Sequence, residues 1–314
     1  AEALEAWRGV RTPGLIRVLD GSACDVVGMT IGEALLVCPD EPNEARRLTI
    51  EALSGETPSL RGVLRVVGLG TGLVLVLNGF WIDGRLKIEG RVDARLEHCS
   101  LHAVTAQRLA GGDSGPIAAI ETAAVGPDCP KISLYACLVG PLALAGGQLL
   151  SVESVVDGRE GGMAILGSPG ATIVRSTLIG GAELAALDAL DSILGSPVQL
   201  TGADSANVRF CFVPEGVDLS GVSDSVTGRP TPPFESLVFG MPGYARPDPR
   251  RSEGTVGWSD AIFTGASNGS AIGVFNAERV AQREDLLAKA LPRALPVGTS
   301  WVFEPIPLAG ELAE

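Results

Sequence analysis

From Leu86 to Glu97, apolar and charged positions alternate: Leu86, Ile88, Gly90, Val92, Ala94 and Leu96 interleave with Lys87, Glu89, Arg91, Asp93, Arg95 and Glu97. That period of two predicts a strand with one buried and one wet face. The end of the stretch, LEHCSL at 96–101, aligns with LYACLV at 134–139, VESVVD at 152–157, VRSTLI at 174–179, LDSILG at 190–195 and VRFCFV at 208–213. The starts are separated by 38, 18, 22, 16 and 18 residues, and the first gap reads as two turns. The first column is always Leu or Val. The third is mostly small (Ala136, Ser154, Ser176, Ser192), with His98 and Phe210 as exceptions. A second apolar pair precedes the fourth column: Leu86 and Ile88 before Cys99, Leu142 and Leu144 before Val155, Ala164 and Leu166 before Thr177, Val198 and Leu200 before Cys211. Glycines at 90, 146, 167 and 202 mark the corners. Short alternating strands with glycine corners and a period near 18–22 residues describe stacked parallel coils. The expected fold is all-β, a right-handed parallel β-helix.

The solenoid is expected over 48–216, with 1–47 supplying N-terminal strands or a cap. LTIEALSG at 48–55, LRGVLRVVG at 60–68 and LVLVLNGFWIDG at 73–84 read as earlier coils. GLGTG at 68–72 imitates a nucleotide loop, but it leads into a strand and the third motif glycine falls on Leu73, so it reads as a turn. After Glu215 the repeat fades into a Pro/Gly-rich run at 228–251. Residues 217–314 are expected to form a linker and cap over the open end of the solenoid, where core and unpaired backbone would otherwise be exposed. A helix is predicted over 277–291, capped by Asn276, with Val280, Leu287 and Leu291 on one face and Pro292 after its end. Asn268-Gly269-Ser270 reads as a turn.

Composition narrows the function classes. The 314 residues are 46% hydrophobic but only 4% aromatic, so the Trp and Tyr platforms usual in carbohydrate and single-stranded nucleic-acid sites are scarce. A formal charge of −13 argues against a phosphate-backbone partner. No apolar run reaches the ~18 residues of a membrane span. The chain opens AEALEAWRGV, with no basic-then-apolar leader, so no signal peptide is expected and the sequence leaves the compartment open.

The candidate chemistry is sparse. The second column, Glu97, Tyr135, Glu153, Arg175, Asp191 and Arg209, is expected to form a surface ladder whose signs alternate from Glu153 onward, fixing register. The charged row at 87–97 aligns with neutral residues on other coils (Lys87 with Ala143 and Gln199), so it reads as a solvated face. Cys99, Cys137 and Cys211 share the fourth column and read as a core stack. Two coils apart, Cys99 and Cys137 would stand ~9.6 Å from each other, past the ~7 Å limit for a disulfide. Cys129 has a route toward Cys137 through the GPDCP insertion at 126–130. His98 and His102 lack a third metal ligand and a partner acid. No catalytic, metal or cofactor site is expected. Glu153, Asp157, Arg159 and Arg175, on adjacent coils, are the best positions for a catalytic alternative.

VRSTLIGGAEL at 174–184, VRFCFVPEG at 208–216, FGMPGYA at 239–245, AIFTGASNGSAIGVFN at 261–276 and QREDLL at 282–287 carry a family resemblance. Together they resemble a group of uncharacterised bacterial β-helix proteins encoded beside phage-tail-like or contractile-injection gene clusters. The resemblance spans Gly72 to Trp301 and implies association with a tail-like particle. It implies packing roles for Pro242, Gly243, Tyr244 and Phe275. Members tend to be acidic where this chain has Ser267 and Asn268, with Glu at Ala271 and His at Asn276, so no acid, base or metal role transfers to that loop. The expected function is a non-enzymatic structural, adhesive or docking component, with particle proteins or a second copy as partner. The alternative is a carbohydrate-active lyase or glycosidase with a polysaccharide substrate, which rests on fold analogy.

Overall fold

The computed structural model describes residues 2–8, 13–21, 23–25, 29–31, 46–102, 117–124, 128–158, 162–167, 169–202, 206–217, 219–229, 234–239, 241, 243–248 and 260–278. Its strands pair in parallel, coil on coil, from Gly14 to Gly228, as a parallel β-helix. The helix therefore runs past both ends of the expected 48–216.

Three faces repeat. One stacks 73–78, 93–97, Lys131–Tyr135, Gln148–Val152, Gly170–Val174, Ala186–Leu190 and Ala206–Arg209; it carries an open groove and is called the groove face. The next stacks 81–82, Ser100–Leu101, Leu138–Val139, Val155–Asp157, Thr177–Ile179, Ile193–Leu194, Phe212–Pro214 and Val226–Gly228. The third stacks 86–89, Ile120–Ala123, Leu142–Leu144, Met163–Leu166, Gly181–Leu184 and Val198–Leu200. Inward residues form continuous columns, such as Leu48, Leu75, Ala94, Ile132, Leu149, Ala171 and Leu187. All seven are buried. Burying one such aliphatic side chain is worth ~1.5–3 kcal/mol, against ~0–1 for an exposed ion pair. The inward columns, not the charged row, hold the coils together.

At 81–97 the alternation emerges as read: the apolar set points in and the charged set points out. The charge does not fade across its neighbours, however. Lys87 sits beside Glu121, and Glu121 bridges Arg85 at 2.7 Å and Lys87 at 3.5 Å. Glu89 accepts two bonds from the Arg65 guanidinium, which holds its carboxyl below the usual range. The strand at 120–123 had escaped the repeat because the long stretch of sequence between Leu101 and Ile120 breaks the period.

That stretch also changes the coil count. Ser100 pairs directly with Leu138, so the gap of 38 is one turn, and Cys99 and Cys137 lie on neighbouring coils. The register itself needs a correction of one residue. Tyr135 pairs with Val152, Leu138 with Val155, and Leu190 with Arg209. The lines beginning at 96, 134 and 208 are thus offset from those at 152, 174 and 190. Val152, Val174 and Leu190 point outward and are only half-buried, yet they match the inward Leu96, Leu134 and Val208 in residue type. On the third face Ile165, not Ala164, faces Leu142, across an irregularity after Met163.

GLGTG at 68–72 is a bulged corner between Gly68 and Leu73. A seven-residue helix, Glu2–Arg8, seats buried Trp7 on the core beside the first coils, with the Arg46 guanidinium 4.4 Å above its ring.

The C-terminal segment is where expectation and structure part most. The described residues of this segment, 234–239, 241, 243–248 and 260–276, do not stack on the last coil. They lie along the flank of the second face, where Val155, Ile179, Ile193 and Phe212 join Phe234, Tyr244, Ala245, Ile262, Ala266 and Ile272 in a second apolar core outside the coils. Residues 274–278 form a short 3-10 turn, and the remainder of the predicted 277–291 helix lies outside the described residues.

Candidate functional site

From His98 onward each coil turns from the groove face to the covered face through one non-glycine residue in the left-handed region: His98, Ala136, Glu153, Arg175, Asp191, Phe210 and Asp224, all at φ near 50°. A left-handed L-residue costs about 1–2 kcal/mol. The residue that follows supplies the compensation. Cys99, Cys137, Ser154, Ser176, Ser192, Cys211 and Ser225 form one inward column, which contains the expected cysteine stack but is mostly serine. The N–H of Cys137 donates to Ser154 Oγ at 3.0 Å, that of Ser154 to Ser176 Oγ at 3.1 Å, and that of Ser176 to Ser192 Oγ at 3.1 Å. Each hydroxyl in turn donates to the carbonyl two residues before it, at 2.7–2.9 Å. Corner N–H groups that strand pairing leaves over are satisfied by this ladder. Replacing Ser176 by Ala removes the acceptor for the buried Ser154 N–H, which should cost about 1–3 kcal/mol, read as a lowered thermal midpoint. Ser176→Cys should recover part of that loss, since Cys211 Sγ already accepts the Ser192 N–H. The thiols here are packing groups. The Cys137 thiol donates to the carbonyls of Tyr135 and Leu96 at 3.3 and 3.4 Å, and the neighbouring Cys99 sulfur, with burial, pushes it well up. Burial raises Cys211 to about 12. Cys129 is exposed beside Gly146, at the corner before the groove face, far around the coil from buried Cys137.

The expected surface ladder divides along the corrected register. Glu97 and Tyr135 stack with each other and then with Val152, and Arg209 stacks on Leu190. Glu153, Arg175 and Asp191 belong to the corner column. Glu153 and Arg175 do pair across neighbouring coils at 3.2 Å. Asp191 is buried and faces the C-terminal segment, where the Ser267 N–H and hydroxyl donate to its carboxylate at 2.7 and 2.8 Å.

The described members of the alternative catalytic set do not converge. Asp157 is buried on the covered face and accepts the Tyr244 hydroxyl at 2.5 Å. Glu153 is on the corner with Arg175, and Arg159 lies outside the described residues. Asn268 and Asn276 exchange amide bonds at 3.0 and 3.2 Å, and Ser270 N–H donates to Asn268 Oδ1, closing the expected turn. Val274 N–H donates to Thr177 Oγ1, and Gly273 N–H to the Asp191 carbonyl. These bonds latch the flank to three successive coils. Of the expected packing residues, Tyr244 is buried, Gly243 turns beside the Glu235 carboxylate, Phe275 is half-buried below Arg246, and Pro242 lies outside the described residues. His98 is an exposed corner residue, and the His102 ring lies 4.2 Å from that of Phe239. Among the described residues, no group of three His, Cys, Asp or Glu is placed to hold a metal, and no helix is long and apolar enough to cross a membrane.

Among the described residues, two open surfaces stand out. The groove face holds a shallow cavity of about 730 Å³, lined by Ser133, Gln148, Leu150, Thr172 and Asn207 with the carboxylates of Asp93 and Asp188. Asp93 and the coil of Asp188 are separated by four coil steps, through Lys131, Gln148 and Gly170 to Ala186. At ~4.8 Å per step that is ~19 Å, about twice the widest spacing of a two-carboxylate glycosidase. The second surface is a cluster of apolar side chains where the flank meets Trp81. The covered face did have a signal in the sequence: runs such as Val155-Val156 and Ile193-Leu194 are apolar on both alternating sides, as in a sheet buried on both faces.

No family model matches the chain, and no curated protein matches it. Among solved structures, a trypsin-treated form of QnrB1, a plasmid-mediated fluoroquinolone resistance protein, is similar at 12% identity and a TM-score of 0.24, over 67% of this chain and 90% of that one.

Proposed function

We propose that this chain is a non-enzymatic β-helix component, a rigid spacer and docking body associated with a phage-tail-like or contractile injection particle. The observation that carries the docking reading is how the candidate reactive groups are used. Asp157 is bound by Tyr244, Asp191 by Ser267 and Glu153 by Arg175. A catalytic acid or base must reach substrate, whereas these groups fasten coils and flank. The particle association rests on the family resemblance at 239–245, 261–276 and 282–287. The carbohydrate-active alternative loses support from the wide separation of the groove carboxylates.

The test is affinity capture of the tagged full chain from its native host, read by mass spectrometry. Sheath, tube or baseplate proteins are expected among the captured proteins. Capture of the chain alone would remove the particle assignment, and a polysaccharide cleavage panel would then become the next measurement.

A further inference from the structure

The inward column behind the corners contains a pairing that the sequence spacing had excluded. Ser100 pairs with Leu138 and Leu101 with Val139, so Cys99 and Cys137 hold matching positions on adjacent coils. The backbone is bonded on both sides of them. His98 N–H donates to the Tyr135 carbonyl at 2.9 Å, and Leu138 N–H to the Cys99 carbonyl at 3.0 Å. Their Cα atoms therefore stand at the ordinary inter-strand separation of ~4.8 Å, inside the ~4.4–6.8 Å window of a disulfide. Both residues are 1% exposed. The sulfurs are in mutual contact: the Cys137 thiol holds Cys99 below its usual range, and Cys99 pushes Cys137 up. Among the described residues, no other two thiols of this column adjoin. From Cys137 the ladder passes through Ser154, Ser176 and Ser192 before Cys211, whose own N–H donates to Ser225. Serine meets the hydrogen-bonding needs of this column, so what two stacked thiols add is the capacity to join.

We infer that Cys99 and Cys137 are a disulfide site, closed when the chain folds in oxidising surroundings and open in reducing ones. The ring that the bond closes contains the stretch between Leu101 and Ile120 that breaks the repeat. It would tie the coil before that stretch to the coil after it, where the covered face offers two-residue strands alone, Ser100–Leu101 and Leu138–Val139. The oxidant is a small disulfide such as oxidised glutathione. One cysteine thiolate attacks it and releases one glutathione thiol. The second attacks the mixed disulfide and releases the other, so two S–H bonds are lost, one S–S bond forms and two electrons pass to glutathione. Both sulfurs are buried in the closed coil, which places the exchange during folding. The inference does not rest on the docking reading above.

The test is cell-free synthesis of the full chain in a glutathione buffer, once oxidising and once reducing, beside Cys99→Ser and Cys137→Ser. Serine already occupies this column, so both variants are expected to fold. Soluble product is denatured, alkylated and digested with trypsin, which puts Cys99 in peptide 96–108, Cys129 in 109–131 and Cys137 in 132–159. The oxidised wild type is expected to yield peptide 96–108 linked to 132–159, and each variant to lack it. The oxidised wild type should melt about 5 °C or more above the reduced one, a difference that both variants lose. Alkylation of Cys99 and Cys137 in the oxidised sample would overturn the proposal, as would a link from 109–131 to 132–159. A wild type that is soluble only when reduced, or that gains nothing in midpoint from the bond, would overturn it too, because the bond would then not fit the coils.

Discussion

Replacing Phe212 by alanine is expected to cost about 3–5 kcal/mol and to free the flank at 234–276 before the coils melt. Phe212 is on the covered face, paired with Ile193 on one side and Val226 on the other. Its ring is 1% exposed, but it belongs to the outer core beneath Phe234, Tyr244, Ile262 and Ile272, not to the columns inside the helix. The cavity therefore opens between flank and coil. The remaining latches are hydrogen bonds: Tyr244 to Asp157, Ser267 to Asp191 and Val274 to Thr177. A bond to a charged acceptor is worth roughly 1.5–3 kcal/mol, so Tyr244→Phe should weaken the same junction by less than Phe212→Ala. Limited proteolysis with mass readout separates the two regions. New cuts within 234–276, with the coils up to 228 still protected, are the expected pattern. Protection of the flank at wild-type level in Phe212→Ala would mean that the outer core is not what holds it.

That junction marks the limit of what the chain's pattern discloses. The inward columns were legible because Leu86, Ile88, Leu96, Leu134 and Ile173 alternate with polar neighbours on a strand of period two. Register was harder. Val152, Val174 and Leu190 are apolar and face outward on the groove face, so they align with inward leucines unless the corner is located first. The corner is locatable only in retrospect, as the position before each Ser or Cys of the ladder. A small residue there looks like a packing choice until the unpaired N–H of the neighbouring coil is seen. The coil at 100–123 was invisible for a different reason: the extra residues between Leu101 and Ile120 spaced it like two turns. The flank has no period at all, so its seat on the covered face depends on contacts such as Trp81 with Phe239 and Asp157 with Tyr244, which join distant parts of the chain. Ion pairs were the reverse case. The charged row was legible as a wet surface, but its partners required the true neighbours, as Lys87 with Glu121 illustrates.

Gly84→Ala should be severely damaging for a single added methyl. Gly84 stacks on Gly62 where the covered face turns into the third face. A Cβ on Gly84 would lie 1.8 Å from the Gly62 carbonyl oxygen and 2.7 Å from its carbon. Both obstacles are backbone, so no rotamer change relieves the overlap, and the two long strands Ser59–Asn78 and Trp81–Glu97 would have to move apart. Those strands share their register over nearly their whole length, and displacement at one corner is therefore transmitted along both. A loss above about 4 kcal/mol is expected, in the range reserved for severe overpacking. Gly55→Ala is the control: its φ is +88°, but nothing lies within 4 Å of the added carbon. It carries the left-handed penalty alone, about 1–2 kcal/mol. Thermal unfolding of the two variants side by side decides the matter. A Gly84→Ala protein that melts no earlier than Gly55→Ala would mean that these coils slide past each other freely at the corner. A body that yields so easily there could not serve as a rigid spacer, so the same measurement bears on the mechanical half of the proposed function.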